Sequence, residues 1–330
     1  MRGALMGVSE TGIRQKILDG VPLPPWGHWD ESSVMASLTG IFTYLGDPVS
    51  YEDLMGISGQ AFRIQVHESG LCPSSPHANC GFDCITPVTE AMGYERRSFL
   101  IDETDPSSKE TVRNAVIGSI DRGIPVIHQP EEAEIIVGYL DGGASFLRRQ
   151  WQNTDANYTA LEGVRWGVDV LTKIRPRREE KSMAVEALER ILLLAGSGSV
   201  RGYWTGFRAY EQWMAWLREN GRKENLLGNG WIYCSLKSAR KAGSAYLRKI
   251  SGFFEEKVSR QIAAAADAYR AVEERLGIPF EIAPGPWGIK EEEWTMVKRE
   301  RQAAILDEVL SLEEAAVEEV RNAVRMIKGD

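Results

Sequence analysis

The stretch Gly123-Ile124-Pro125-Val126-Ile127-His128-Gln129-Pro130-Glu131-Glu132-Ala133-Glu134-Ile135-Ile136-Val137-Gly138-Tyr139-Leu140-Asp141-Gly142-Gly143 decides the fold class. Residues 125–128 read as a short strand. Residues 133–139 read as a second, whose continuous apolar centre calls for cover on both faces. The Asp-Gly-Gly triplet supplies a hairpin turn, because glycine accepts the positive φ that tight turns need. Residues 145–151 are the returning strand. An antiparallel sheet is therefore expected here, with a helix over 109–121 ending at Gly123 and a further strand over 97–101.

Further upstream, Val21-Pro22-Leu23-Pro24-Pro25-Trp26-Gly27-His28 is too rich in proline to be helical. Asp30 then stands where a helix cap belongs. Val34, Leu38, Ile41, Phe42 and Leu45 recur at helical spacing until Gly46. Ser50 caps a second short helix, and residues 69–87 form a loop rich in Pro, Ser, Gly and Cys before a helix over 87–92. After Arg175-Pro176-Arg177-Arg178 the pattern becomes helical: 182–195, 206–219, 235–276 with a break near Gly252, and 290–328. The fold class expected is α+β. A first domain, 1–178, holds a small antiparallel sheet, and an all-α region, 179–330, follows.

The chain has 330 residues, enough for two cores, and a net charge of −8. That balance argues against nucleic acid or an anionic membrane as the main partner, since both need clustered Lys and Arg. No apolar stretch has the length of a signal peptide or a membrane span, which points to the cytoplasm. There are four cysteines, three of them between Cys72 and Cys84. A cytoplasmic setting disfavours a disulfide framework for them.

Two segments together resemble the double-glycine bacteriocin-processing peptidases and their papain-like relatives. The nearest variant is the family named after the N-terminal domain of the butirosin-biosynthesis acyltransferase. One segment is Gly27-His28-Trp29-Asp30-Glu31-Ser32-Ser33-Val34-Met35-Ala36-Ser37-Leu38, continuing through Tyr44-Leu45-Gly46 to Tyr51-Glu52-Asp53-Leu54-Met55-Gly56-Ile57-Ser58-Gly59. It is similar to the helix that carries the family's nucleophile. The other is the opening stretch from Gly123 to Gly143, similar to the strand pair that carries the family's histidine. The resemblance covers the first half of the chain and implies a papain-like domain. It also implies peptidase, amidase or acyltransferase chemistry on a small-molecule or peptide-like ligand.

The residues depart from that pattern. A thiol at a helix start is activated by the helix dipole, yet Trp29, Asp30, Glu31 and Ser32 stand there instead. The family's histidine position holds Glu132, and the orienting residue of the return strand falls near Arg148 to Gln150. An ordinary Cys-His mechanism is therefore excluded on this alignment, and the cleft is expected to be degenerate as a cysteine protease. Asp30 and Glu132 would face each other across it, able to divide acid and base roles or to hold a metal ion or an amine. The plainer reading makes Asp30 a helix cap, worth about 1 kcal/mol, and Glu132 a loop carboxylate. His128 is the remaining histidine near the cleft, or else a satisfied structural one. His28, Trp29, Ser32 and Gln150 are the expected ligand contacts. Ser32 or Ser33 could act as nucleophile only with a base beside it.

Cys72, His77, Cys80 and Cys84 supply ligand types suited to structural zinc, but gaps of seven and three residues do not make the usual paired elbows. Core packing, zinc binding and a relocated reactive thiol all remain open for them. Tyr203, Trp204, Phe207, Trp213, Trp216, Trp231 and Tyr233 form an aromatic stretch. It suits either core packing or a flat lid in which Trp204 meets a ligand. Three functions are therefore carried forward. The first is a degenerate papain-like cleft binding or processing a small amide- or acyl-containing molecule, the second an active cysteine hydrolase or acyltransferase with a relocated thiol. The third is a non-catalytic interaction protein with a zinc-stabilised loop. The long C-terminal helices are also suited to pairing two copies of the chain.

Overall fold

The computed structural model describes residues 5–8, 14–25, 31–150, 157–219, 225–277, 279–283 and 291–329. The chain forms two compact units, one of residues 1–54 with 88–178 and the other of residues 55–87 with 179–330. The segment 55–87, which the sequence places in the first domain, thus groups with the C-terminal half. Its attachment depends on long-range contacts that local composition does not encode.

In chain order, β1 (Leu5–Val8), β2 (Arg14–Ile17) and α1 (Ser33–Tyr44) come first, and α2 (Tyr51–Ser58) leads into β3 (Gln65–His67). After α3 (Ile85–Ala91) follow β4 (Tyr94–Leu100), α4 (Pro106–Asp121), β5 (Val126–His128), β6 (Glu134–Leu140), β7 (Ser145–Arg149), β8 (Thr159–Leu161) and β9 (Gly167–Lys173). The remainder is α5 (Glu180–Gly196), β10 (Ser199–Val200), β11 (Tyr203–Thr205), α6 (Phe207–Arg218), α7 (Asn225–Ser251), α8 (Glu256–Leu276), α9 (Pro279–Ile282) and α10 (Met296–Lys328).

The first unit is built on an eight-stranded sheet in the order β1-β2-β6-β5-β9-β4, with β7 also on β6 and β8 on β7. It is larger than the small sheet expected, because β1, β2, β8 and β9 add to the strands read from sequence. Every described pairing in it is antiparallel. Strand β6 is the hub. It pairs with β5 through residues 134–136, with β2 through 138–139 and with β7 along most of its length. Helices α1 and α4 both pack on it, and it is buried from Glu134 to Tyr139. Burying Ile135, Ile136 and Val137 is worth about 2 kcal/mol each. A Cβ on Gly138 would lie 2.7 Å from the Lys16 carbonyl oxygen, so β2 can dock there only against glycine.

Helix α1 is buried from Ser33 to Phe42 and emerges only at its last two residues. Its cap is Ser32, whose hydroxyl accepts from Met35 N at 3.4 Å. The helix therefore starts later than a cap at Asp30 would place it. Helix α4 starts earlier than expected, at Pro106, because Asp105 caps it and proline suits the first helical position.

The second unit is helical, with one exception to the all-α expectation: β10, β11 and β3 form a three-stranded antiparallel sheet. Two of those strands are too short for sequence periodicity to register. Tyr210, Trp213, Tyr233, Val272, Leu306 and Val309 are part of its apolar core, which is where most of the aromatic stretch goes. Several polar groups inside it are paired. Trp213 Nε1 donates to Asn229 Oδ1 at 2.8 Å, and Asn229 and Gln302 exchange amide hydrogen bonds. The buried Arg240 pairs with Glu313, which also accepts from Tyr210 at 2.8 Å.

Candidate functional site

Glu132 and Glu134 lie two residues apart where the chain enters β6, and both line a cleft of about 490 Å³. His128, Arg148, Gln150, Glu131, Glu162 and Arg165 contribute to the same wall. The two carboxylates are treated in opposite ways by their surroundings.

Glu134 is almost fully buried and fully engaged. It sits across from His128 in the β5–β6 register, and His128 Nδ1 donates to its Oε1 at 2.6 Å. Arg148, from β7, donates to both carboxylate oxygens at 3.0 and 2.9 Å, and Gln150 donates to Oε2 at 2.8 Å. Burial pushes this carboxyl up, but the bonds from His128 and Arg148 and their charge outweigh it and hold it below the ordinary value. Glu134 is therefore a neutralised anion that fixes the orientation of three donors.

Glu132 has no such set. Among the described residues the nearby Ser33 side chain favours its charged form and Glu131 is a repelling neighbour. Burial, opposed by the Ser33 side chain and aided by the Glu131 charge, lifts it to about 7. At neutral pH it is poised between proton donor and proton acceptor. Ser33 opens α1, is 4% exposed, and accepts from Ala133 N at 2.9 Å. The start of α1 and the approach to β6 are thereby clasped together.

The sequence expectations sort as follows. His28, Trp29 and Asp30 lie outside the described residues, so the expected facing of Asp30 and Glu132 is not among the contacts; Ser33 meets Ala133. His128 lines the cleft but has both ring nitrogens engaged, Nδ1 by Glu134 and Nε2 by the backbone of Arg165, whose N lies at 3.0 Å. It positions Glu134 and the Arg165 turn, and has no nitrogen left for proton transfer. Gln150 lines the cleft as one of the donors to Glu134. Ser32 serves as the helix cap and donates its backbone N–H to the Tyr51 hydroxyl at 2.8 Å.

The turn at Arg165 has a strained feature. Trp166 takes φ 57, left-handed backbone that a bulky residue seldom adopts, and stays 59% exposed. It is held by a bond from Ile101 N to its carbonyl at 2.8 Å. Trp166, Phe146, Ile101, Lys109 and Arg113 line an adjoining cavity of about 600 Å³, which shares Glu131, Glu162 and Arg165 with the cleft.

Trp204 lies in β11 of the second unit, with the Arg208 guanidinium 4.0 Å from its ring centre. The cysteine loop is also in that unit, and a single guanidinium organises it. Arg63 donates to the carbonyls of Cys80, Phe82, Pro76 and His77 at 2.7–3.1 Å. Gln65 adds bonds to Ser75 and Cys80. Among the described residues no three His, Cys, Asp or Glu side chains group to hold a metal ion. Cys84 is fully buried, and burial raises its thiol above the ordinary value, the reverse of activation. Cys72 lies 3.0 Å from the Ser74 hydroxyl. Burial, with help from the Arg63 charge, lowers His77 to about 4, so its ring stays neutral.

Sequence reasoning missed Glu134 and Arg63, and placed Arg148 at the cleft without its partner. Glu134 could have been found as the first residue of a buried strand, since a buried carboxylate needs donors beside it. Arg63 carries no local signal at all. Compared with known proteins, the chain matches no family model and no curated protein, so its chemistry rests on the cleft itself.

Proposed function

We propose that the cleft at the start of β6 binds a small amide- or acyl-containing molecule of peptide-like character, in a papain-like domain whose thiol machinery is gone. The observation that carries this reading is the imbalance between the two carboxylates. Glu134 is neutralised by His128 and Arg148, whereas Glu132 has no cationic partner among the described residues. A half-buried carboxylate without a counter-charge is stabilised by a proton or by a ligand group that brings hydrogen or positive charge to it. An amide N–H or a neighbouring ammonium supplies either. The adjoining cavity suits an elongated ligand, since Trp166, Phe146 and Ile101 offer apolar surface beside the charged wall. The clasp between the start of α1 and residue 132 also supports the papain-like reading, because the resemblance implies that those two positions meet.

The test is ligand-observed NMR with a series of dipeptide amides and their N-acetylated counterparts, run on the full chain and on Glu132→Gln at pH 8. Free-amine amides should bind the unaltered protein, and the substitution should weaken them at least tenfold. Equal binding by both proteins, or none by either, would sink the proposal.

A further inference from the structure

We infer that the cavity beside the cleft is a specificity pocket for an uncharged aromatic side chain, with Trp166 as the surface on which that ring lies. The inference rests on the peptide-like ligand proposed for the cleft. The cavity, about 600 Å³, is walled by Val112 of α4, Phe146 of β7, Ile101 and the loop that carries Trp166. Ligand pockets commonly run from about 300 to 1,000 Å³. Glu131, Glu162 and Arg165 line both spaces, so a ligand held at the cleft can extend a side chain into the cavity.

The way Trp166 is held carries the inference. Gly167 N donates to the Arg165 carbonyl at 2.6 Å, closing a three-residue turn with Trp166 at its centre and φ 57. A γ-turn of positive φ is rare and strained, the more so for a bulky residue. Such strain persists only where the surroundings over-determine it, and here they do. His128 Nε2 accepts from Arg165 N at 3.0 Å, and Ile101 N donates to the Trp166 carbonyl at 2.8 Å. His128 is itself 1% exposed and fixed by Glu134 at 2.6 Å. The buried network behind the cleft thus ends in the backbone of this turn.

The indole gains little burial in return. Trp166 is 59% exposed, and its side chain makes no hydrogen bond or ring contact among the described residues. Leu100, paired with Gly167 across the β4–β9 ladder, is 73% exposed beside it. A strained turn, pinned at several points, therefore presents a large apolar side chain to solvent at the mouth of a cavity. Packing does not account for that arrangement; a ligand group that covers the ring does.

Charge at the rim decides which kind of group. Lys109 pairs with Glu103 at 2.9 Å, and Arg165 stands 4.0 Å from Glu131. Arg113 and Glu162 add one charge of each sign. The lining is thus balanced, three cations against three carboxylates, and gives an ionic group no net attraction. What remains for a ligand is the apolar surface of Trp166, Phe146, Ile101 and Val112. An uncharged flat ring suits it, because it buries apolar area and also gains offset or edge contacts with the indole.

The experiment is ligand-observed NMR titration of the full chain at pH 8. The probes are alanyl-glycine amide, alanyl-leucine amide and alanyl-phenylalanine amide, with 3-phenylpropionamide as a ring that lacks the amine. The phenylalanine amide should bind about tenfold tighter than the glycine amide, and the leucine amide should fall between them. Trp166→Gly removes the ring and tolerates the positive φ. It should cut the phenylalanine advantage to less than about twofold, with a thermal midpoint no lower than that of the unaltered protein. Trp166→Tyr should keep part of the advantage. Equal binding of the glycine and phenylalanine amides overturns the inference and leaves the cleft reading standing. An advantage undiminished in Trp166→Gly, or a lowered midpoint in that variant, overturns it as well, the latter by showing that the indole serves packing. Binding of 3-phenylpropionamide that Trp166→Gly abolishes, with no dipeptide amide bound, would retain the pocket and remove the cleft reading. No binding by any probe overturns both.

Discussion

The cleft and the cysteine loop solve one problem with opposite signs. In the cleft a buried anion, Glu134, gathers His128, Arg148 and Gln150. In the loop a buried cation, Arg63, gathers four carbonyl oxygens. The difference lies in what is left over. Arg63 closes its circle within the loop, and the charge there is fully used. Beside Glu134 stands a second carboxylate with no counter-charge, at the wall of a cavity. A structural device balances itself; surplus charge in a concave place is the better guide to function.

The comparison can be broken most severely at Arg63. Arg63→Ala removes four charge-assisted bonds and leaves carbonyls without partners, and should cost about 4 kcal/mol, read as a fall in the thermal midpoint. A loss under 1 kcal/mol would mean that something else holds the loop. Glu134→Gln should cost about 3 kcal/mol by leaving Arg148 and His128 without their anion. Because the carboxyl of Glu134 is held below its ordinary 4.5, its contribution is present at neutral pH. It should fade as pH falls below that value.

Glu132 should behave the other way. Its carboxyl is raised, so the folded chain holds a proton more tightly than the unfolded chain, and stability falls as pH rises from 4.5 to about 7. Glu132→Gln removes that penalty. It should stabilise the protein at pH 8 by about 1–2 kcal/mol, allowing for partial exposure, and by nothing below pH 4.5. Urea unfolding at the two pH values distinguishes the cases, and a destabilised variant at pH 8 would contradict the surplus charge. The smallest effect belongs to His77. Burial lowers it to about 4, so the unfolded chain protonates first and stability drops as pH falls from 6.5 toward 4. His77→Asn should flatten that slope by about 1 kcal/mol.

How much of this was legible follows from where the information lies. Strand β6 announces itself, since Ile135-Ile136-Val137 is apolar without alternation and Asp141-Gly142-Gly143 must turn; Gly142 and Gly143 do take positive φ, 65 and 91. The break between α7 and α8 follows from Gly252. The joining of 55–87 to the C-terminal half was not legible, because β3 is three residues long and pairs with β11 more than a hundred positions away. At the cleft, position 132 was singled out by the resemblance, but the bond from Ala133 N to Ser33 was not legible. That contact depends on α1 starting at Ser33 rather than just after Asp30, a shift of a few residues that caps do not resolve. The cysteine spacing does not form paired zinc elbows, and nothing local marked Arg63 as the residue that organises the loop.

Strand β6 also has a consequence for binding entropy. Its backbone bonds to β2, β5 and β7 must all open before it can move, so its amides should rank among the slowest of the first unit to exchange with solvent. Glu132 is only two residues from that strand, and the clasp through Ser33 and Ala133 removes most of the slack. A ligand meeting this wall has little protein motion to arrest, and the cost of ordering falls mainly on the ligand. Stiff ligands should therefore gain most from this cleft.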